Sequence, residues 1–208
     1  MKPLRILSYT LAILSACLAT ACVRAEPSLF EPERALAEVS GATVRHFWTR
    51  DFGREKRTGG YSALVPETTA KAMLLKLREQ IPAGYVAFVG TSRNLDDPSI
   101  KGVELVLAPG KDQFDILRLA ATDGINYGLA TEDIVTRLKK WDQQFGICIW
   151  QAETDTVQME MKSRPLDLRT FSKDLYEFCP DIVDQGVGDL ESLERELRNT
   201  GAIYLWWD

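Results

Sequence analysis

A chain of 208 residues that is 45% hydrophobic, 26% charged and 9% aromatic suits one packed domain and is too apolar for global disorder or a fibrous repeat. Its 25 basic residues against 30 acidic ones give a net charge of −5, which argues against nucleic acid or an anionic bilayer as a default partner, since nonspecific affinity for either needs a cationic field. The single histidine, His46, rules out imidazole-rich metal sites and leaves triad chemistry one residue to build on.

Residues 1–22 place Lys2 and Arg5 ahead of an apolar run that ends in small residues, the layout of a signal peptide. The run is shorter than the roughly 20 residues of a membrane span. The cleavage region resembles a bacterial lipoprotein signal, in which a Leu-Ser/Ala-Ala/Gly triplet precedes the lipidated cysteine. Leu14-Ser15-Ala16-Cys17 fits that pattern and makes Cys17 the expected lipidation site. Ala19-Thr20-Ala21-Cys22 offers Cys22 as the alternative, and also fits the Ala-x-Ala cleavage site of a secreted protein. Leu18, and no Asp, follows Cys17, so the resemblance implies an outer-membrane lipoprotein of the cell envelope facing the periplasm, with secreted or periplasmic protein as the alternative. Losing Lys2 and Arg5 with the leader takes the balance to 23 basic against 30 acidic residues, a net −7, so acyl chains and not polybasic attraction would hold the protein. The expected organisation is a signal peptide (1–22), a tether (23–43) carrying a first helix from Pro32 to Val39, and a globular domain (44–208). Cys148 and Cys179 can pair in an oxidising periplasm. They show no metal-ligand spacing, and the strand-like run around Cys148 favours a buried, reduced thiol.

The aromatic stretch Arg45 to Phe52 predicts a strand leading into an exposed turn, with the chain reversing at Gly59 and Gly60. After Pro66 the spacing of Ala70, Met73, Leu74, Leu77 and Ile81 predicts an amphipathic helix that Pro82 and Gly84 terminate. Strands are expected at Tyr85–Val89 and Val103–Leu107, joined by the polar connector TSRNLDDPS, and a third at Phe114–Ala120. Thr131 can cap a helix carrying Ile134, Val135, Leu138, Trp141 and Phe145, which Gly146 ends. Two strands, Ile147–Gln151 and Thr156–Met161, follow around a polar turn. A helix after Pro165 places Leu168, Phe171, Leu175 and Phe178 on one side, and Asp189 caps a last helix bearing Leu190, Leu193 and Leu197. The aromatic end, Ala202 to Trp207, predicts a strand tied into the sheet. The expected fold is one α+β domain with a mixed or mainly antiparallel sheet and helices packed on one side.

Five sequence features resemble the bacterial family known as domain of unknown function 4253. They are Thr122-Asp123-Gly124-Ile125-Asn126-Tyr127, Leu138-Lys139-Lys140-Trp141, Phe178-Cys179-Pro180-Asp181, Gly186-Val187-Gly188 and Leu205-Trp206-Trp207-Asp208. The resemblance covers Ala120 to Asp208 closely, and the family carries no established activity.

Candidate site residues come from these features. Asp123, Asn126 and Tyr127 lie on a loop between regular elements, where side chains can meet a ligand; the competing expectation is a turn braced by its own Asp and Asn side chains. Asp181 and Asp184 share a helical face and could join Asp155 or Asp208 in an oxygen-rich cation site, or Asp181 could cap a helical turn. His46 has Asp51 nearby but no nucleophile in a recognisable context, and Gly186-x-Gly188 lacks the spacing of a nucleotide loop. No catalytic residue, metal or cofactor is expected. The chemistry points to a noncatalytic, envelope-anchored binding or accessory domain with a protein or peptide partner. The alternative is a hydrolase or small-ligand-binding protein built on an Asp-rich cleft.

Overall fold

Helix α1 (Pro32–Ser40) starts on a proline, whose missing N–H costs nothing in a first turn, and stops at Gly41, where φ is 63°. The computed structural model describes residues 30–49, 57–92 and 101–207. The signal segment with Cys17 and Cys22, residues 23–29 of the tether, the turn through residues 50–56, most of the TSRNLDDPS connector and Asp208 lie outside the described residues. From Phe30 on, the stretch expected as a tether packs into the domain, because α1 buries Leu36 and Val39.

Strands β1 (Val44–Trp48) and β2 (Arg57–Val65) pair antiparallel. Gly59 and Gly60 lie within β2 and are not the reversal expected of them. Gly60 is needed for close approach, since a Cβ there would sit 2.6 Å from the Ala108 Cβ of the neighbouring strand. Helix α2 (Glu67–Arg78) buries Ala70, Leu74 and Leu77, as the spacing predicts. Then come β3 (Tyr85–Val89) and β4 (Val103–Pro109).

The strand expected at Phe114–Ala120 is instead helix α3 (Asp115–Ala120). FDILRLA buries five of its seven side chains, at Phe114, Ile116, Leu117, Leu119 and Ala120, a pattern too short and too apolar for periodicity to separate helix from strand. Local bonds decide it: Asp112 accepts the Phe114 N–H (2.8 Å), Asp115 accepts the Lys111 N–H (2.6 Å), and Arg118 reaches back to Asp115 (2.8 Å).

A 3-10 turn (Ile125–Tyr127) leads to α4 (Thr131–Phe145). Thr131 is the first helical residue and not the cap; Asp133 closes that end by accepting the Ala130 N–H at 2.9 Å. Strands β5 (Ile147–Ala152) and β6 (Thr156–Met161) follow, then α5 (Leu168–Phe178), a π-helical turn (Ile182–Val187), α6 (Leu190–Thr200) and β7 (Ala202–Trp206). Asp167 and Asp189 cap α5 and α6 through the N–H groups of Thr170 and Ser192.

Among the described residues seven strands form one sheet in the order β1-β2-β4-β3-β5-β6-β7. Every pairing among these described strands is antiparallel except β3 with β5, so the chain is the expected single α+β domain with a mixed, mainly antiparallel sheet. The main helical layer, α3 to α6, lies on one side, where Leu138, Trp141 and Leu175 meet Phe88, Ile149 and Leu205. α1 and α2 form a smaller layer over the other face, against Ala87, Val89 and Leu105. Alternation along each strand makes both cores possible: Phe88 points to one and Ala87 to the other. Cys148 and Cys179 are both free thiols. Among the described residues no helix is long and apolar enough to cross a membrane.

Candidate functional site

The loop from Thr122 to Leu129 is stitched to the β5–β6 turn. The Thr122 hydroxyl donates to the Glu153 carbonyl (2.6 Å), and the Asp123 N–H donates to the Thr154 carbonyl (2.8 Å). Gly124 and Leu129 bond each other through both backbone groups, at 2.9 and 3.1 Å. Gly124 also rests on the last aromatic residue of the core, where a Cβ would lie 3.0 Å from Trp207 Cγ. The closed loop turns Ile125 and Tyr127 outward, 66% and 41% exposed, with Asn126 exposed between them.

Tyr127 reaches over the loop to a carboxylate 54 residues away. Its hydroxyl donates to Asp181 Oδ1 at 2.6 Å, and Gln185 Nε2 donates to the same oxygen at 3.0 Å. Asp181 is buried. It precedes the π-helical turn but makes no side-chain capping bond, so the capping expectation is replaced by a tertiary contact. The hydrogen bond to Asp181, aided by loss of solvent and the negative charge, pushes the Tyr127 phenol up to about 12. Cys179, two residues before Asp181, sits against β7, with its thiol donating to the Trp206 carbonyl (3.0 Å) and its sulfur receiving the Trp206 N–H (3.3 Å). Burial pushes this thiol up to about 12 as well, against the smaller opposing effect of its backbone contacts.

The other family-like features converge on this corner. Phe178 packs edge-on to Trp207 and Trp141, with centroids 5.6 Å apart in both pairs. The Trp207 indole N–H donates to the Phe178 carbonyl (3.3 Å), and its backbone N–H donates to the Asp155 carbonyl (3.1 Å). Trp141 Nε1 donates to Asp174, which also pairs with Arg137 at 2.6 Å. Gly188, with φ of 87°, ends the π-helical turn.

Of the residues singled out from sequence, the structure joins Tyr127 with Asp181. Asp123 and Asp155 flank the same β5–β6 junction, the first through its backbone bond to Thr154 and the second with its carboxylate accepting the Thr156 hydroxyl (2.9 Å). Asp184 is exposed and accepts the Tyr176 hydroxyl (3.1 Å), apart from the Asp181 pairing. Among the described residues no group of three or more His, Cys, Asp or Glu side chains is arranged to hold a metal ion. His46 is exposed and stacks on Tyr61 at 5.2 Å.

Three polar clusters gave no signal in the sequence. Buried Glu104 accepts from Arg45 (2.5 Å) and Ser62 (3.2 Å), while its second oxygen and Arg45 Nε have no partner among the described residues. Burial pushes the Glu153 carboxyl up, against lowering hydrogen bonds from Ser92 and Gln151. Arg78 donates to the carbonyls of Ala87 (2.8 Å) and Ile149 (2.6 Å) on the two strands of the parallel pair. In each cluster the partners are tens of residues apart or sit in strands whose neighbours only the sheet order defines.

A family model described as a domain of unknown function, DUF4253, matches residues 104–208, from β4 through all the features that converge on Trp207. No curated protein and no solved structure matches the chain.

Proposed function

The chain belongs to the DUF4253 family, and from that premise we propose that it is a noncatalytic accessory domain that binds a protein or peptide partner in the cell envelope. The observation that carries this is the Ile125–Tyr127 knuckle: two large side chains held outward on a loop closed by Gly124 and Leu129 and braced from below by Asp181 and Trp207. Apolar groups displayed on a rigid loop bind with little ordering cost, which is how aromatic anchors come to dominate protein interfaces. The polar groups beneath are poorly suited to chemistry near neutral pH, because the Tyr127 phenol and the Cys179 thiol both hold their protons up to about 12.

A photo-crosslinking residue at position 125, irradiated in the native envelope, is expected to give one discrete protein adduct. The same reporter at exposed Leu75 on α2 is expected not to give that adduct. The same yield at both positions, or no adduct at 125, rejects the knuckle as the recognition surface. Anchoring at Cys17 predicts that Cys17→Ser abolishes incorporation of labelled palmitate. Loss only in Cys22→Ser would move the anchor, and no incorporation in the parent chain would leave a secreted protein.

A further inference from the structure

Helices α5 and α6 run side by side, and a cavity of about 510 Å³ lies between them. Arg169 and Lys173, one turn apart on α5, and Arg195 and Arg198 on α6 line it from both helices. A second cavity of about 350 Å³ shares Arg169 and Arg198 and extends the groove to Arg164 and Leu166. Five cations thus border the two adjoining cavities against three carboxylates, Asp167, Glu191 and Glu194, a local cationic excess on a chain whose net charge is −5. Those carboxylates are in part already engaged. Glu194 pairs with Arg198 at 2.5 Å, and Asp167 caps α5 through Thr170. Among the described residues no ion pair within 4 Å holds Arg169, Lys173 or Arg195; Arg195 donates to the Ser192 hydroxyl (2.9 Å), and Lys173 and Arg195 act only at longer range on the capping carboxylates Asp167 and Asp189. Like charges on facing helices repel, so a groove that keeps them together gains when a negative partner enters.

We propose that the α5–α6 groove binds an acidic peptide segment of a partner protein. Leu166 favours a peptide over a bare anion: it is fully exposed at the mouth of the second cavity, beside Arg164 and Arg169. An apolar contact at the rim of a cationic groove complements a segment that alternates carboxylates with an aliphatic side chain. The apolar wall at Leu190 and Leu168 continues that character inside. The groove lies along α5 and α6, away from the knuckle, and so adds a second recognition surface to the one proposed above.

The test uses the purified full chain in a nonionic detergent and a fluorescein-labelled ten-residue oligoglutamate peptide, followed by fluorescence anisotropy at low salt. A chain of net charge −5 repels such a peptide unless a local cationic groove captures it. Saturable binding is expected, weakening as salt is raised. Arg169→Glu with Arg195→Glu should reduce the affinity by about tenfold or more, and the milder Arg169→Gln with Arg195→Gln by a smaller factor, with melting temperatures showing that both variants fold. Ile125→Asp should leave peptide binding intact, so the groove and the knuckle stand or fall separately. Absence of binding, equal binding by the groove variants, or tighter binding to phosphatidylglycerol vesicles or to oligothymidine than to oligoglutamate would overturn the proposal.

Discussion

Tyr127 and Asp181 show what a single hydrogen bond does when one partner is buried. The carboxylate has no escape to water, and the phenol covers it at 2.6 Å. Because the folded phenol is raised above its ordinary value of about 10 to about 12, the stabilisation from this bond is fully present below pH 10 and disappears as pH rises through 12. The absorbance of ionised tyrosine is therefore expected to show a late component near pH 12 that Tyr127→Phe removes; superimposable titrations would disprove the coupling. Glu104 is the sharper case, since it is buried between β1, β2 and β4 with one oxygen unpartnered among the described residues. Glu104→Ala leaves part-exposed Arg45 without its carboxylate and is expected to cost about 1–3 kcal/mol in a denaturant titration. Replacing both residues by apolar ones should recover most of that loss. A cost below about 1 kcal/mol for the single variant would mean that the ion pair contributes little.

At the scale of elements, the sheet has one seam that differs from the rest. β3 and β5 are its parallel pair, and only Val89 and Gln151 are in register across it. Arg78, at the end of α2, closes the gap by donating to Ala87 on one strand and Ile149 on the other. Burial lowers the pKa of this guanidinium, yet it remains a cation, since arginine keeps its proton throughout the accessible range. Arg78→Ala is expected to destabilise the domain by about 2–4 kcal/mol, because charge-assisted bonds to buried carbonyls are lost without replacement. Hydrogen exchange should show faster exchange at β3 and β5 before other strands. Uniform exchange across the sheet would assign the seam's stability to packing instead. The helices were legible where their apolar stripes run for three turns, as in α2 and α4; α3, with six residues, has too little length for its period to show.

For the whole molecule, β7 is the last strand placed and pairs at the sheet edge with β6. Trp207 just beyond it plugs the corner where Phe178, Gly124 and Asp155 meet. Ending the chain at Leu205 is expected to lower stability by about 3–5 kcal/mol, the usual cost of removing a buried large aromatic side chain. An unchanged melting temperature would contradict the placement of Trp207. The amino-acid sequence by itself determined the α+β class, most of the elements and the features that identify the family, because periodicity, caps and turn residues act over a few neighbouring positions. The tertiary structure alone decided that β3 sits between β4 and β5, that Gly60 serves a close strand contact, and that Asp181 meets Tyr127 across 54 positions of sequence. Those outcomes depend on which distant segments share a core, and no local pattern encodes a contact between residues 54 positions apart.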